Sequence, residues 1–496
     1  MIVAQEFLKT MDIFKATVLY LTVVTFAIVD GQSYRAGVVL YKPNPSIYAT
    51  PDEQLKDNLN LTVQIMNANK NESDIFILPE YALTNIKAEF ESARVLKSFS
   101  VNIGKVGDML CTTNGTVSEQ NLAILACAAK NNYYIVANLI EEDNNTYFST
   151  DIVIDPNGVL NSKCRKYHIV NGTNFERGPS ANPCTFTATF QNQSVVFALL
   201  YGTDLVYGIP DASKSDNVIV TAATKNNLPL NISVSLSQGF AISNGVNLIV
   251  ADYNDVELNY GGSGVFYSNG TSVIAFNAAN VPNGNAIGGI LIKEIPIKPM
   301  SSSSIINVKS TIFGEIPKMN LEYINLPTTF NQTIVEGKHC IDKRCCNFKA
   351  ELSADSIAPY QWIILQNKTN ILTQEADIFF CGLVVSSASS PKLTFKNLTI
   401  SVDDKQPDVA QTLPIALNQN FLPTNFQFNK VARTITFDKE NNIVVLFGIM
   451  EILGSPNIGT NTAFIVIIVL LVLALVALLV AFLVWRKRQA KNRRNF

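Results

Sequence analysis

Ala36-Gly37-Val38-Val39-Leu40-Tyr41, then residues 52–68, then Ile75-Phe76-Ile77-Leu78-Pro79-Glu80: these three stretches decide the fold class. The first is a short apolar run rich in β-branched residues and reads as a strand. The second places Leu55, Leu59, Val63 and Met66 at helical spacing, which predicts a helix with one apolar face. The third is again a strand, and it ends on a carboxylate. Strand, helix, strand over about forty-five residues is the unit of an α/β layer fold.

The alternation continues outward from this unit. Leu122, Leu125, Ala126 and Ala129 suggest a second helix, followed directly by a strand at Tyr134-Ile135-Val136-Ala137. Further strands are predicted at 151–154, 195–200, 218–221 and 248–251, with a helix over about 234–244. Pro296, Pro299 and the serine run 301–304 mark a boundary. Beyond it come short alternating stretches such as Leu393-Thr394-Phe395 and Ile443-Val444-Val445-Leu446-Phe447, which read as a second, mostly β domain. The expected organisation is an α/β domain over 33–300, a β domain over 305–453 and a stalk over 454–462.

The two ends address the chain to a membrane. Met11-Asp12-Ile13-Phe14-Lys15 leads into an apolar run over 16–29 and then small and polar residues, the layout of a signal peptide within 1–32. Residues 463–485 carry no charge and are followed by Arg486, Lys487, Arg488, Lys491, Arg493 and Arg494. At about −0.4 kcal/mol for each large apolar residue, this stretch gains roughly 7 kcal/mol on insertion. The basic tail over 486–496 sets an outside N-terminus, giving a single-pass type I protein with its ectodomain extracellular or lumenal, the plasma membrane being the expected site. Sequons at Asn60, Asn71, Asn114, Asn144, Asn171, Asn192, Asn231, Asn269, Asn331, Asn367 and Asn397 fit a glycoprotein. The eight cysteines agree with an oxidising compartment. The formal charge is −2, so the chain outside the basic tail is acidic, and no nucleic-acid partner is expected.

Composition also narrows the chemistry. Only His168 and His339 are present, too few for a zinc site built from several histidines. No G-x-S-x-G elbow, P-loop or dinucleotide fingerprint occurs, and neither metal nor cofactor is expected. What stands out is Glu80 at a strand end and Lys166 in Cys164-Arg165-Lys166-Tyr167-His168, both placed to converge at the carboxyl ends of strands.

These segments resemble the vanin and biotinidase branch of the nitrilase superfamily. The matching text is Ile77-Leu78-Pro79-Glu80, residues 128–138 and 149–158, Arg165-Lys166-Tyr167-His168 and Gly262-Ser263-Gly264. In the β region Cys340, Cys345, Cys346 and Cys381 resemble that branch's cysteines. The resemblance implies an αββα sandwich and a Glu-Lys-Cys triad that cleaves amide C–N bonds, as in pantetheine or biotin amides. Glu80 matches the general base and Lys166 the lysine that stabilises the oxyanion. The cysteine position departs from the pattern: with Asp204 and Pro210 in register, Gly202 stands where the nucleophile belongs. Loss of a covalent nucleophile costs on the order of 10⁶ in rate.

Among substitutes, Cys164 and Cys184 each read as half of a disulfide, Thr203 is a β-branched alcohol beside the elbow that lacks a thiol's acidity, and Tyr201 is a substitute on paper only. A second departure is Ala222-Ala223-Thr224-Lys225-Asn226 in place of the family's Trp-containing segment; the two tryptophans, Trp362 and Trp485, lie elsewhere. The expectation is a pseudoenzyme that binds a ligand, such as a pantetheine-like or biotin-like amide. The alternatives are an amidohydrolase with an unorthodox nucleophile and a cell-surface adhesion scaffold.

Overall fold

The computed structural model describes residues 32–453 apart from 44–49, 113–116, 131–132, 170–171, 181–182, 208–214, 229–231, 277–286, 302, 314–321, 324–335, 353–359, 372–373, 386–394, 404–408, 419–423 and 438–443. The expected signal peptide, stalk, membrane helix and basic tail lie outside the described residues, as do Pro210 and the sequons at Asn114, Asn171, Asn231 and Asn331. Among the described residues no helix is long and apolar enough to cross a membrane.

Two sheets face each other. The first has six strands: β1 (Ser33–Lys42), β2 (Ile75–Ile77), β3 (Tyr134–Asp143), β4 (Thr146–Ile154), β5 (Leu160–Arg165) and, added beside β1 from later in the chain, Ile287–Pro296. Strands β1, β2 and β3 run parallel, so their carboxyl ends share one edge. The second sheet contains β6 (Cys184–Phe190), β7 (Gln193–Tyr201), β8 (Asn217–Ala222), β9 (Asn247–Asp252), β10 (Ser263–Phe266) and β11 (Thr271–Ala275), with β7, β8 and β9 parallel. Between the sheets, Val38, Ile77 and Val136 meet Phe197, Ile219 and Ile249 in a core closed to water.

The outer face of the first sheet is covered by α1 (Pro51–Ala68), α2 (Ala93–Phe99) and α3 (Val117–Ala129). Helix α1 starts where local chemistry dictates. The Thr50 hydroxyl accepts the Glu53 backbone N–H, Pro51 occupies the first turn, and Asp52 and Glu53 sit at the positive end of the helix dipole. Its buried face carries Leu55, Leu59 and Met66 as expected, but Thr62 and Ile65 complete it, while Val63 is only half-buried. The helical stripe is rotated because Asn58 and Gln54 are drawn inward to bond the carbonyls of Leu83 and Thr84.

The outer face of the second sheet is covered differently. Helix α4 (Ser233–Asn244) packs there beside a four-stranded sheet made of Tyr360–Ile371, Gln374–Val385, Val444–Leu453 and Val409–Asn418. Leu200, Val220 and Val250 meet Leu236 and Phe240 of the helix and Ile363, Leu413 and Met450 of that sheet. Every residue of α4 from Ser233 to Ile242 is buried, which explains why its sequence lacks a polar stripe. The architecture is therefore a nitrilase-like α/β fold with additional β-rich sheets.

The strand Ile305–Phe313 pairs in parallel with β11 and carries the second sheet across the 296–304 stretch into the β region, which makes a continuous sheet of twelve strands. A third core, with Phe348, Trp362, Phe379, Phe395 and Phe447, lies between the distal strands of that sheet and the four-stranded one.

Candidate active site

The carboxyl ends of β2, β5, β7, β8 and β9 converge, and each delivers one part of a buried polar cluster. Glu80 follows β2 through Leu78 and Pro79. The next residue, Tyr81, is buried and has φ +60°, a left-handed conformation that an aromatic residue adopts at a cost of about 1–3 kcal/mol. That bend turns the Glu80 side chain inward, where it is 3% exposed. Lys166 follows β5 and is equally buried; its Nζ donates to Glu80 Oε1 at 2.7 Å. The two residues identified from sequence thus meet across 86 positions of chain. The Lys166 backbone is held as well, its N–H bonded to the Ser149 carbonyl and its carbonyl to the Gly178 N–H.

Around the pair lies a network that sequence reasoning did not assign. Ser149 donates to Glu80 Oε1 at 3.2 Å, and Asn138 Nδ2 donates to Ser149 Oγ at 3.0 Å and to Asp151 Oδ1 at 2.9 Å. Thr221 donates to the other Asp151 oxygen at 2.6 Å, joining the two sheets. Burial pushes the Asp151 carboxyl well above its usual value, against the hydrogen bonds from Thr221 and Asn138. The signal available in the sequence was the polar run Ser149-Thr150-Asp151 inside a strand whose neighbours are apolar.

Gly202 opens a 3-10 turn, Gly202–Val206, directly after β7. The surrounding chain has closed on it. A Cβ placed there lies 2.8 Å from Ala222 Cβ, closer than real Cβ atoms approach another atom, and 3.0 Å from Thr224 Oγ1 and 3.3 Å from Ala222 Cα, both tighter than most real Cβ contacts. The small residues at 222–224 therefore occupy the space a cysteine at 202 needs.

No other thiol is available. The eight cysteines pair as Cys111–Cys127, Cys164–Cys184, Cys340–Cys345 and Cys346–Cys381. Cys164 and Cys184, expected to be in disulfides, are joined to each other across β5 and β6. The hydroxyls are committed too: Tyr201 donates to the Cys164 carbonyl at 2.7 Å and accepts the Asp151 N–H at 2.8 Å, and burial raises its pKa well above the phenol value. Thr203 donates to the His168 carbonyl. His168 Nδ1 sits 2.7 Å from Asp204 Oδ1, and its ring stacks on Tyr207 at 4.3 Å. Asp204 uses its second oxygen to accept the Tyr201 N–H, so the turn is fastened on both sides.

Asp252, at the end of β9, is fully enclosed and accepts the Thr224 N–H at 2.9 Å; burial raises its carboxyl to about 7. Among the described residues no cluster of His, Cys, Asp and Glu is suited to a metal ion.

Of the described sequons, Asn60, Asn71, Asn144, Asn192 and Asn397 are exposed, whereas Asn269 is half-buried with its carbonyl bonded to the Thr271 N–H and hydroxyl.

Residues 38–233 match the carbon–nitrogen hydrolase family. Among curated proteins, the chain is 28% identical to human pantetheine hydrolase VNN2 over 36% of each chain. It is 27% identical to Vanin-like protein 1 of Drosophila melanogaster over 65% of this chain and 61% of that one. With the biotinidase of Takifugu rubripes it shares 26% identity over 49% of this chain and 55% of the other. The chain thus spans about a third to two thirds of the length of these relatives. Among solved structures, Saccharomyces cerevisiae Nit3 aligns with 54% of this chain and 92% of its own at 16% identity, with a TM-score of 0.37. Residues 38–233 thus match a carbon–nitrogen hydrolase domain, and the curated relatives, a pantetheine hydrolase, a vanin-like protein and a biotinidase, are consistent with the vanin and biotinidase branch of the nitrilase superfamily.

Proposed function

We propose that this protein is a membrane-anchored, catalytically silent relative of the amide-cleaving vanins, working by binding rather than by turnover. The observation that carries the proposal is the filled nucleophile position. Gly202 has no side chain, Ala222 and Thr224 fill the space around it, and all eight cysteines are bound in disulfides. Acyl transfer through a thioester requires a thiolate beside a general base. Here the base position, Glu80, is neutralised by Lys166 instead.

The named activities of the relatives, pantetheine hydrolysis and biotinidase activity, suggest a small amide as ligand class. Anchoring by residues 463–485, an ectodomain outside the cytoplasm and glycosylation of the exposed sequons belong to the same proposal and rest on the sequence.

The test is amide hydrolysis by the detergent-solubilised full-length protein against pantetheine and simple N-acyl amides. The expected result is no turnover. Gly202→Cys alone should stay inactive because Ala222 crowds the new side chain, whereas Gly202→Cys with Ala222→Gly should gain measurable hydrolysis. Turnover by the wild type that disappears in Glu80→Ala would refute the proposal and favour an active amidohydrolase with another nucleophile.

A further inference from the structure

At the distal end of the twelve-stranded sheet, a groove of about 370 Å³ lies across the strands Glu336–Ile341, Arg344–Leu352 and Phe395–Asp403. Register decides what faces it. Phe348 and Ile400 are paired neighbours turned into the third core, so the residues flanking them, Asn347, Lys349, Thr399 and Ser401, stand on the opposite, outer face. Glu336 and Lys338 join that face by pairing with Lys349 and Asn347. All six line the groove, whose volume falls at the lower end of the roughly 300–1,000 Å³ typical of small-molecule sites.

The charges on this wall are matched. Lys349 lies 3.7 Å from Glu336, and Lys338 lies 2.6 Å from Asp403, so an anion would gain little from either lysine. The rest of the polar lining is amide and hydroxyl, with Asn347 Nδ2 donating to Ser401 Oγ at 3.4 Å. Such a wall suits an uncharged ligand rich in hydroxyls, because each hydroxyl can both donate and accept. Thr399 is also the last residue of the sequon Asn397-Leu398-Thr399. Asn397 shares its strand face, two positions and about 7 Å away along the strand. It is exposed, and the Thr399 hydroxyl donates to its Oδ1 at 3.4 Å, which leaves Nδ2, the atom that carries a sugar, outside that bond.

We propose that an N-linked glycan on Asn397 packs along this groove, its first sugars bonded by Lys349, Asn347 and Ser401. The glycan presupposes the export of the ectodomain proposed above. Attachment forms one C–N bond: the anomeric carbon of the sugar leaves the pyrophosphate of a lipid-linked donor for Asn397 Nδ2, which gives up a proton. A tethered sugar has an effective concentration on the order of millimolar at the groove, so a few polar contacts are enough to seat it. Seated there, it crowds the approach to Glu336–Ile341, the last strand in the sheet's order, and an end strand is where another chain can add by pairing.

The test is glycopeptide mass spectrometry and enzymatic deglycosylation of the full-length protein, made in cultured animal cells and solubilised in detergent. Asn397 should be occupied. Peptide-N-glycosidase should release its glycan from the folded protein at least tenfold more slowly than the glycans at whichever of Asn60, Asn71, Asn144 and Asn192 are occupied, and denaturation should remove the difference. Asn347→Ala with Ser401→Ala keeps the sequon and deletes two groove partners; it should restore most of the release rate with an unchanged melting temperature. An unmodified Asn397 in a chain glycosylated elsewhere would overturn the groove assignment and leave export standing, whereas a chain without any glycan would overturn both. Native release as fast as at the other sites, or protection untouched by the double variant, would also overturn the assignment.

Discussion

Lys166→Met should destabilise the protein by about 3–5 kcal/mol, because it leaves a carboxylate buried without its cation. The magnitude follows from the geometry. At 2.7 Å and an effective dielectric of about 20, the Glu80–Lys166 attraction is about 6 kcal/mol, an amount that the desolvation of two ions in so closed a place largely offsets. The intact pair is then close to neutral, while half of it is costly. Glu80→Gln combined with Lys166→Met removes both charges and keeps a carbonyl for the Ser149 hydroxyl, so the double variant should lie within about 2 kcal/mol of the wild type and above the Lys166→Met single. Urea unfolding followed by tryptophan fluorescence measures this, with the comparison made on midpoints at constant slope. A double variant as unstable as Lys166→Met, or a single within about 1 kcal/mol of wild type, would refute the reading of Glu80 and Lys166 as two buried charges that compensate each other.

Three further expectations test other parts of the fold. Against burial, which raises it, hydrogen bonds from Arg165, Lys163 and Thr150 hold Glu141 at about 2, so its stabilising contribution is full above pH ~4.5 and fades as pH falls toward 2; acid titration should show this component lost in Glu141→Gln. Asp252 has the opposite sign: raised to about 7 by burial, its ionisation opposes folding increasingly from pH ~4 to 7, so Asp252→Asn should gain stability relative to the wild type across that window. Replacing Cys164 and Cys184 together by Ser opens a crosslink spanning 20 positions and should cost about 3 kcal/mol by thermal unfolding, with Glu80 and Lys166 still paired.

The local elements were legible because their signals are local. Apolar runs marked β1, β2, β3 and β9, and helical spacing marked α1 and α3; the ends agree to within a residue for β2, β9 and α1, whereas β1 starts earlier at Ser33, β3 runs on to Asp143 and α3 starts earlier at Val117. Helix α4 was found without a polar stripe, and only its burial between the second sheet and the four-stranded one explains why none is needed. At the site, Glu80 and Lys166 were visible as a carboxylate and a cation after strands, and the absence of a cysteine at 202 was a matter of register alone.

The sequence by itself determined which chemical groups exist: two histidines, an acid and a lysine after strands, a glycine at 202, and an uncharged apolar run near each end. Only the tertiary structure decided what those groups do to one another. It brought Glu80 onto Lys166, paired Cys164 with Cys184, linked Thr221 to Asp151 between sheets and set Ala222 against Gly202. It also ran one sheet through the proline-rich stretch that had marked a boundary. Periodicity reports which face of an element is buried, but strand order and pairing between distant segments are set by the packing of whole layers, which no local pattern encodes.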